Sequence, residues 1–244
     1  MPKQYQLTAN EIMRQVVVSK PSDGGYEESE IQAAEERIGA RLPQPYRDYL
    51  KTYGKETINT AFNEIFAPSD ITTSYEKLAA DVAYFAAPDH DDEYGQLSRM
   101  PREAWNTITD NYVLIWCENQ GVWNAGYLLR DLQNGVEDPP VYVSTNDDYI
   151  SFMCGWDNTE NFLQAMLDSA LEEVSRHEPS YLSDVKEIEV FLEQYGIDRT
   201  KLARRVNDMV CRGNCLDRDN RIFCMYYENN DPDKQFRYLT VVDV

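Results

Sequence analysis

The chain has 244 residues, 42% apolar and 12% aromatic, enough to bury a core and too apolar for a disordered chain. Its 43 acids against 23 bases leave a formal net charge of −20, which argues against direct binding to nucleic acid or to anionic lipid surfaces. No apolar run nears the about 20 residues of a membrane span, the opening MPKQYQLTANEIMRQ lacks a signal-peptide apolar centre, and five scattered cysteines (Cys117, Cys154, Cys211, Cys215, Cys224) read as reduced thiols of a cytoplasmic protein.

In chain order, Thr8-x-x-Glu11 is a capping-box pattern that predicts a short helix running to about Lys20, broken by Pro21-Ser-Asp-Gly-Gly25. A second helix is predicted over Glu28 to Ile38, with Ile31, Ala34 and Ile38 on one face and Gly39 at its end. Leu42-Pro43-Gln-Pro45 turns the chain into a third. There Tyr46, Tyr49, Leu50 and Tyr53 form an apolar stripe expected in the core. Thr57 to Phe66 reads as a strand and Ser74 to Phe85 as a helix, followed by the acidic loop Ala87 to Gly95. Asn111 to Cys117 and Val122 to Leu129 read as the arms of a hairpin about Glu118-Asn-Gln-Gly121. A short strand, Val141 to Val143, precedes a helix from Asn158 or Thr159 to about Arg176. The tail, from about residue 180, offers two helices and a closing pair of strands, Ile222–Tyr227 and Phe236–Val242. Helices in front, strands in the middle and a helix behind predict an α+β fold with a mostly antiparallel sheet. Leu42, Tyr46, Leu50, Ile115 and Phe162 are expected to be buried.

The charge is uneven. Residues 81–173 hold 18 acids against Arg99, Arg102 and Arg130, whereas the flanking stretches are nearly balanced. Solubility is one explanation; a surface that attracts a basic partner is the other.

Glu28 to Gly54, with its Leu42-Pro-Gln-Pro-Tyr-Arg47 segment, resembles the opening of the SUKH superfamily, the Smi/Knr-type domain. Tyr112 to Trp123, including Glu118-Asn-Gln-Gly-Val122, resembles the central hairpin of that family. Asp138 to Val143 resembles its next strand and Phe162 to Leu167 its closing helix. The resemblance covers about residues 8–175. Lys55-Glu56 stands where a second glycine often follows Gly54. The expected organisation is a SUKH-like domain over 1–175 and a C-terminal extension over 176–244, packed on the first domain. The resemblance implies function by binding: bacterial members look like immunity proteins that neutralise a polymorphic or contact-dependent toxin, often a nuclease. Fungal members resemble regulatory scaffolds. A nuclease carries a basic cleft, which an acidic surface could fill as a phosphate mimic.

The residues themselves suggest no catalysis. His90 and His177 lie in acidic or polar stretches, away from any evident nucleophile. His90, inside Asp89-His-Asp91-Asp92-Glu93, reads as part of a solvated loop, since no complementary metal-ligand spacing follows. Asp217, Asp219 and Glu228 fall at the first, third and twelfth positions of an EF-hand loop, but Arg221 and Ile222 occupy its fifth and sixth, so the pattern is broken. Cys211-x-x-x-Cys215 lacks zinc-knuckle spacing. No cofactor, metal or catalytic residue is therefore expected. The expected partner contacts are Asp89, Asp91, Asp92, Glu93, Glu118, Glu137, Asp138, Asp147, Asp148 and Asp157, with Tyr94, Tyr149 and Trp156 as aromatic anchors. Trp123, in the hairpin, is expected in the core, and Trp156 in a loop. Glu118, Asn119 and Gln120 could equally be turn formers.

Overall fold

The computed structural model describes the chain apart from residues 1–2, 15–23, 61–62, 85–92, 145–148, 175–179, 203, 206–209, 230–235 and 244. It divides into two units, Asp23–Phe162 and a second made of Met1–Ser22 with Leu163–Val244. The first elements, β1 (Gln4–Tyr5) and α1 (Ala9–Ile12), belong to the second unit. The capping box is present: the Thr8 hydroxyl accepts from Glu11 N at 3.2 Å, and the Glu11 carboxylate accepts from Thr8 N at 2.9 Å. The expected continuation of this helix to Lys20 runs into residues 15–23, outside the described ones.

In the unit Asp23–Phe162, α2 (Glu28–Ile38) and α3 (Gln44–Tyr53) follow the predicted bounds closely. Gly39 ends α2 with φ of +71°, a left-handed conformation that costs glycine no steric penalty. The Leu-Pro-x-x-Tyr-Arg segment is structural. Tyr46 is fully buried, donates to Ile115 O at 3.3 Å and meets Tyr127 edge-on at 6.0 Å. Arg47, also buried, is ion-paired with both Glu28 and Glu35 of α2, and Glu35 accepts from Leu42 N at 2.7 Å. One guanidinium thus ties two helices and the turn between them. The whole stripe of Tyr46, Tyr49, Leu50 and Tyr53 is in the core, as predicted.

Thr57 to Phe66 is not the expected strand. A 3₁₀ turn occupies Thr57–Thr60, and among the described residues of this stretch only β2 (Glu64–Ile65) is a strand. The cause is Asn59, whose amide caps the end of α3 through Tyr53 O and Gly54 O while its oxygen accepts from Tyr49 at 2.7 Å. Next come β3 (Thr72–Thr73), α4 (Ser74–Tyr84), the short α5 (Glu93–Leu97) and a 3₁₀ turn at Arg102–Thr107. Tyr75, Leu78, Val82, Leu97 and Trp105 form one apolar cluster there. The hairpin is β4 (Tyr112–Cys117) and β5 (Asn124–Leu128), followed by α6 (Leu129–Gln133), β6 (Val141–Ser144) and β7 (Phe152–Trp156). All pairings are antiparallel, in the order β2-β4-β5-β6-β7 with β3 also on β4. Leu42, Tyr46, Leu50, Ile115 and Phe162 are buried, as expected.

The helix α7 (Thr159–Val174) opens in this unit, with Asn158 Oδ1 accepting from Asn161 N at 2.9 Å, and continues into the other. In the second unit follow β8 (Ser180–Leu182), α8 (Val185–Gln194), α9 (Arg199–Leu202), β9 (Arg204–Arg205) and three eight-residue strands, β10 (Val210–Asp217), β11 (Ile222–Asn229) and β12 (Phe236–Asp243). Their order is β1-β10-β11-β12-β8, again antiparallel, with β9 on β10. Cys215, Cys224, Tyr226 and Leu239 pack with Ile188, Leu192 and Leu202 from the helices. Phe223, Met225 and Val242 alternate with these and are buried too. The two tail helices and the closing strands were predicted; β10 was not. Its Gly213 lies so close to Leu202 that a Cβ would sit 1.0 Å from the Leu202 carbonyl oxygen, so the α9–β10 approach demands glycine in a strand.

Candidate partner-binding surface

The predicted contact residues separate into several environments. Asp89, Asp91, Asp92, Asp147 and Asp148 lie outside the described residues, as do His90 and the side chain of Glu93. Tyr94 and Tyr149 are half-buried and pack on the Tyr75–Trp105 cluster. Trp156 is the last residue of β7, not part of a loop, and stands edge-on to Phe162 at 5.3 Å. Glu118 works within the hairpin turn: its carbonyl accepts from Gly121 N at 2.8 Å, its carboxylate from Val122 N at 3.3 Å. Asp138 accepts from the backbone N of Thr159 at 3.0 Å and its hydroxyl at 2.5 Å, at the start of α7. Glu137 and Asp157 are exposed.

One correction and one omission concern apolar residues. Trp123 is 52% exposed, because it sits in the turn ahead of β5 instead of within the strand. Phe152–Trp156, which the sequence left unassigned, is an edge strand on which Met153 is 53% exposed. The turn residues Asn119, Gln120 and Gly121 just before Trp123 were the available signal for the first. For the second there was none, since Gly155 beside Trp156 reads as a loop and five residues carry no mark of a sheet edge.

Two clefts lie in the unit Asp23–Phe162. One, of about 490 Å³, has Tyr75, Leu128, Arg102 and Arg130 in its wall; Arg102 is paired with Glu76 at 2.6 Å and Arg130 with Asp110 at 3.0 Å. The other, of about 580 Å³, runs between Arg41–Pro45 and Leu132, Val136, Glu137 and Asp138. The Leu-Pro turn therefore lines a groove together with two apolar and two acidic side chains.

Their surroundings disfavour the thiolate forms of Cys117 and Cys154. Desolvation, then Glu64 and Glu118, push the Cys117 thiol pKa up; desolvation and then Asp157 do so for Cys154. Among the described residues no group of three or more His, Cys, Asp and Glu side chains could hold a metal ion, and no helix is long and apolar enough to cross a membrane.

A helix pair joined by a Leu-Pro turn, an antiparallel sheet and a following helix define an α+β domain whose signature residues serve its own architecture. The family model SUKH_6, described as SMI1-KNR4 cell-wall, matches residues 28–163, more than half of the chain. The chain belongs to that family and so to the SUKH superfamily. No curated protein and no solved structure matches it.

Proposed function

We propose that the protein is a cytoplasmic, non-enzymatic immunity protein that binds and neutralises a basic toxin through the acidic unit Asp23–Phe162. A polymorphic or contact-dependent nuclease is the partner class this chemistry suits best. The observation that carries the reading is the placement of charge: the unit holding the family match has 26 acids against nine bases, the other 17 against 14. A field of one sign attracts and orients an oppositely charged partner. The test is co-purification with the product of a neighbouring toxin gene, followed by affinity measurement at low and high ionic strength. Tight binding that weakens steeply with salt is expected, because the screening length falls from about 30 Å at 0.01 M salt to about 3 Å at 1 M. Salt-insensitive binding would defeat the electrostatic part. The second reading, a regulatory scaffold, is favoured by the second unit with its own sheet and core; a pull-down in which the isolated toxin fails to bind but a regulatory protein does would select it.

A further inference from the structure

Of the described edge strands in the acidic unit, β7 has five residues, against two each in β2 and β3. Among the described strands β7 pairs with β6 alone, so its second edge carries backbone groups with no strand partner. Natural edges are blunted by lysine, proline, inward charges or a covering element. Phe152-Met-Cys-Gly-Trp156 contains neither charge nor proline, and Met153 and Cys154 are both exposed. The irregularity between Val141 and Tyr142 affects the Trp156 end; Phe152, Met153 and Cys154 face Ser144, Val143 and Tyr142 in regular register.

Beside this edge lies an apolar strip, buried at Ala125, half-buried at Val143 and exposed at Met153. Ala125, Val143 and Met153 are directly opposite one another across β5, β6 and β7, so they share a face. Glu118 N donates to Trp123 O at 2.9 Å, which carries the hairpin pairing one residue ahead of β5, and alternation back from Ala125 puts the exposed Trp123 on the same face. The charge around the edge then selects the occupant. From Asp131 to Phe162, the part of this unit that carries β6 and β7, the sequence holds seven acids and no base, and the exposed Asp157 directly follows β7. A second copy of the chain would bring the same negative charge to this edge. An extended segment with lysine or arginine at alternate positions would satisfy the backbone, the apolar strip and the charge together.

We propose that β7 is a docking strand that takes an extended basic segment of the protein partner as an added strand, with Trp123 and Met153 gripping its apolar side chains. This rests on the binding function proposed above and names the surface that performs it. The probe is a capped peptide alternating lysine and valine, mixed with the full chain at low salt and followed by amide hydrogen exchange and calorimetry. Exchange at residues 152–156 is expected to slow. Met153→Lys and Trp123→Ala, both at exposed positions, should each weaken binding about tenfold or more, and methylating every backbone nitrogen of the peptide should abolish it. Unchanged exchange at 152–156, full binding by both variants, or equal binding of the methylated peptide overturns the docking strand. So does protection of 152–156 that rises with protein concentration alone, which would mark a second copy as the occupant. A cognate toxin bound equally well by wild type and Met153→Lys removes the docking strand and leaves the neutralising function intact. Peptide protection of 152–156 supports the docking strand even where no toxin binds, and in that case the neutralising function is what falls.

Discussion

The two units each bury one charged side chain among the described residues, and they bury opposite signs. In Asp23–Phe162, where acids outnumber bases 26 to nine, it is Arg47, held between Glu28 and Glu35. In the other unit, nearly balanced at 17 to 14, it is Asp217, hydrogen-bonded by Asn220 and paired with Lys3 at 3.3 Å. The cations of the second unit also sit among acids: Arg199 approaches Glu189 and Glu228, and Arg237 meets Glu228 at 2.6 Å. A demand for solubility would act on both units alike. The difference between them is the one that the proposed docking of a basic partner on the acidic unit calls for.

The comparison can be broken most forcefully at its buried charges. All four tryptophans lie in Asp23–Phe162, so their fluorescence reports on that unit alone, while the accessibility of the buried Cys215 and Cys224 reports on the other. Arg47→Ala strands the Glu35 carboxylate against α3 and should cost about 3–5 kcal/mol in urea unfolding followed by tryptophan emission. A loss below about 1 kcal/mol would show that the clamp between helices is dispensable. Asp217→Ala should cost about 1–3 kcal/mol, read as faster reaction of Cys215 and Cys224 with a thiol reagent. Burial opposes the Asp217 charge, but the contacts from Asn220 and Lys3 outweigh it and hold the carboxyl below its ordinary pKa. The stabilising contribution is therefore complete above the unfolded carboxyl's pKa, near 4. It is lost as pH falls through the lower folded value, so acid should loosen this unit in wild type and leave Asp217→Ala less pH-dependent.

Smaller effects sharpen the picture. Gly39→Ala places a Cβ at a φ of +71° and should cost about 1–2 kcal/mol by the same tryptophan assay. Trp123→Ala, at an exposed turn, should shift stability by no more than about 0.5 kcal/mol. Trp123 also samples the local field. Caesium ions should quench its emission more than iodide at low salt, with the gap closing at high salt; equal quenching at low salt would mean that the acidic unit sets up no useful potential there.

How much of this was legible beforehand depended on where each residue's partners lie. The stripe Tyr46–Tyr53 was readable because helical spacing alone decides which face is apolar, and Gly39 because a helix end has a local signature. The 3₁₀ turn at Thr57–Thr60 was not, since it follows from Asn59 reaching back to cap α3. Strand β10 was hidden for the same kind of reason: its Gly213, a poor strand residue, is there to let Leu202 approach. At the candidate surface, the acidic composition was plain from counting. Which acids are spent on structure was not. Asp138 at the start of α7 and Glu118 in the hairpin turn have partners 21 residues and four residues away, and no periodicity announces the first. The exposure of Met153 depends on β7 being last in its sheet, a matter of topology that five residues cannot encode.

The pairing of β1 with β10, extended by Leu7 and Asn214, bears on how the chain is made. Leu7 N donates to Asn214 Oδ1 at 2.6 Å and Asn214 Nδ2 donates back to Leu7 O at 3.1 Å, across 207 positions of sequence. At about 5–20 residues per second on the ribosome, the first of these residues waits on the order of ten to forty seconds for the second. Asp23–Phe162 leaves the exit tunnel whole before that knot can be tied, so a segment synthesised ahead of that unit finds its place only after it.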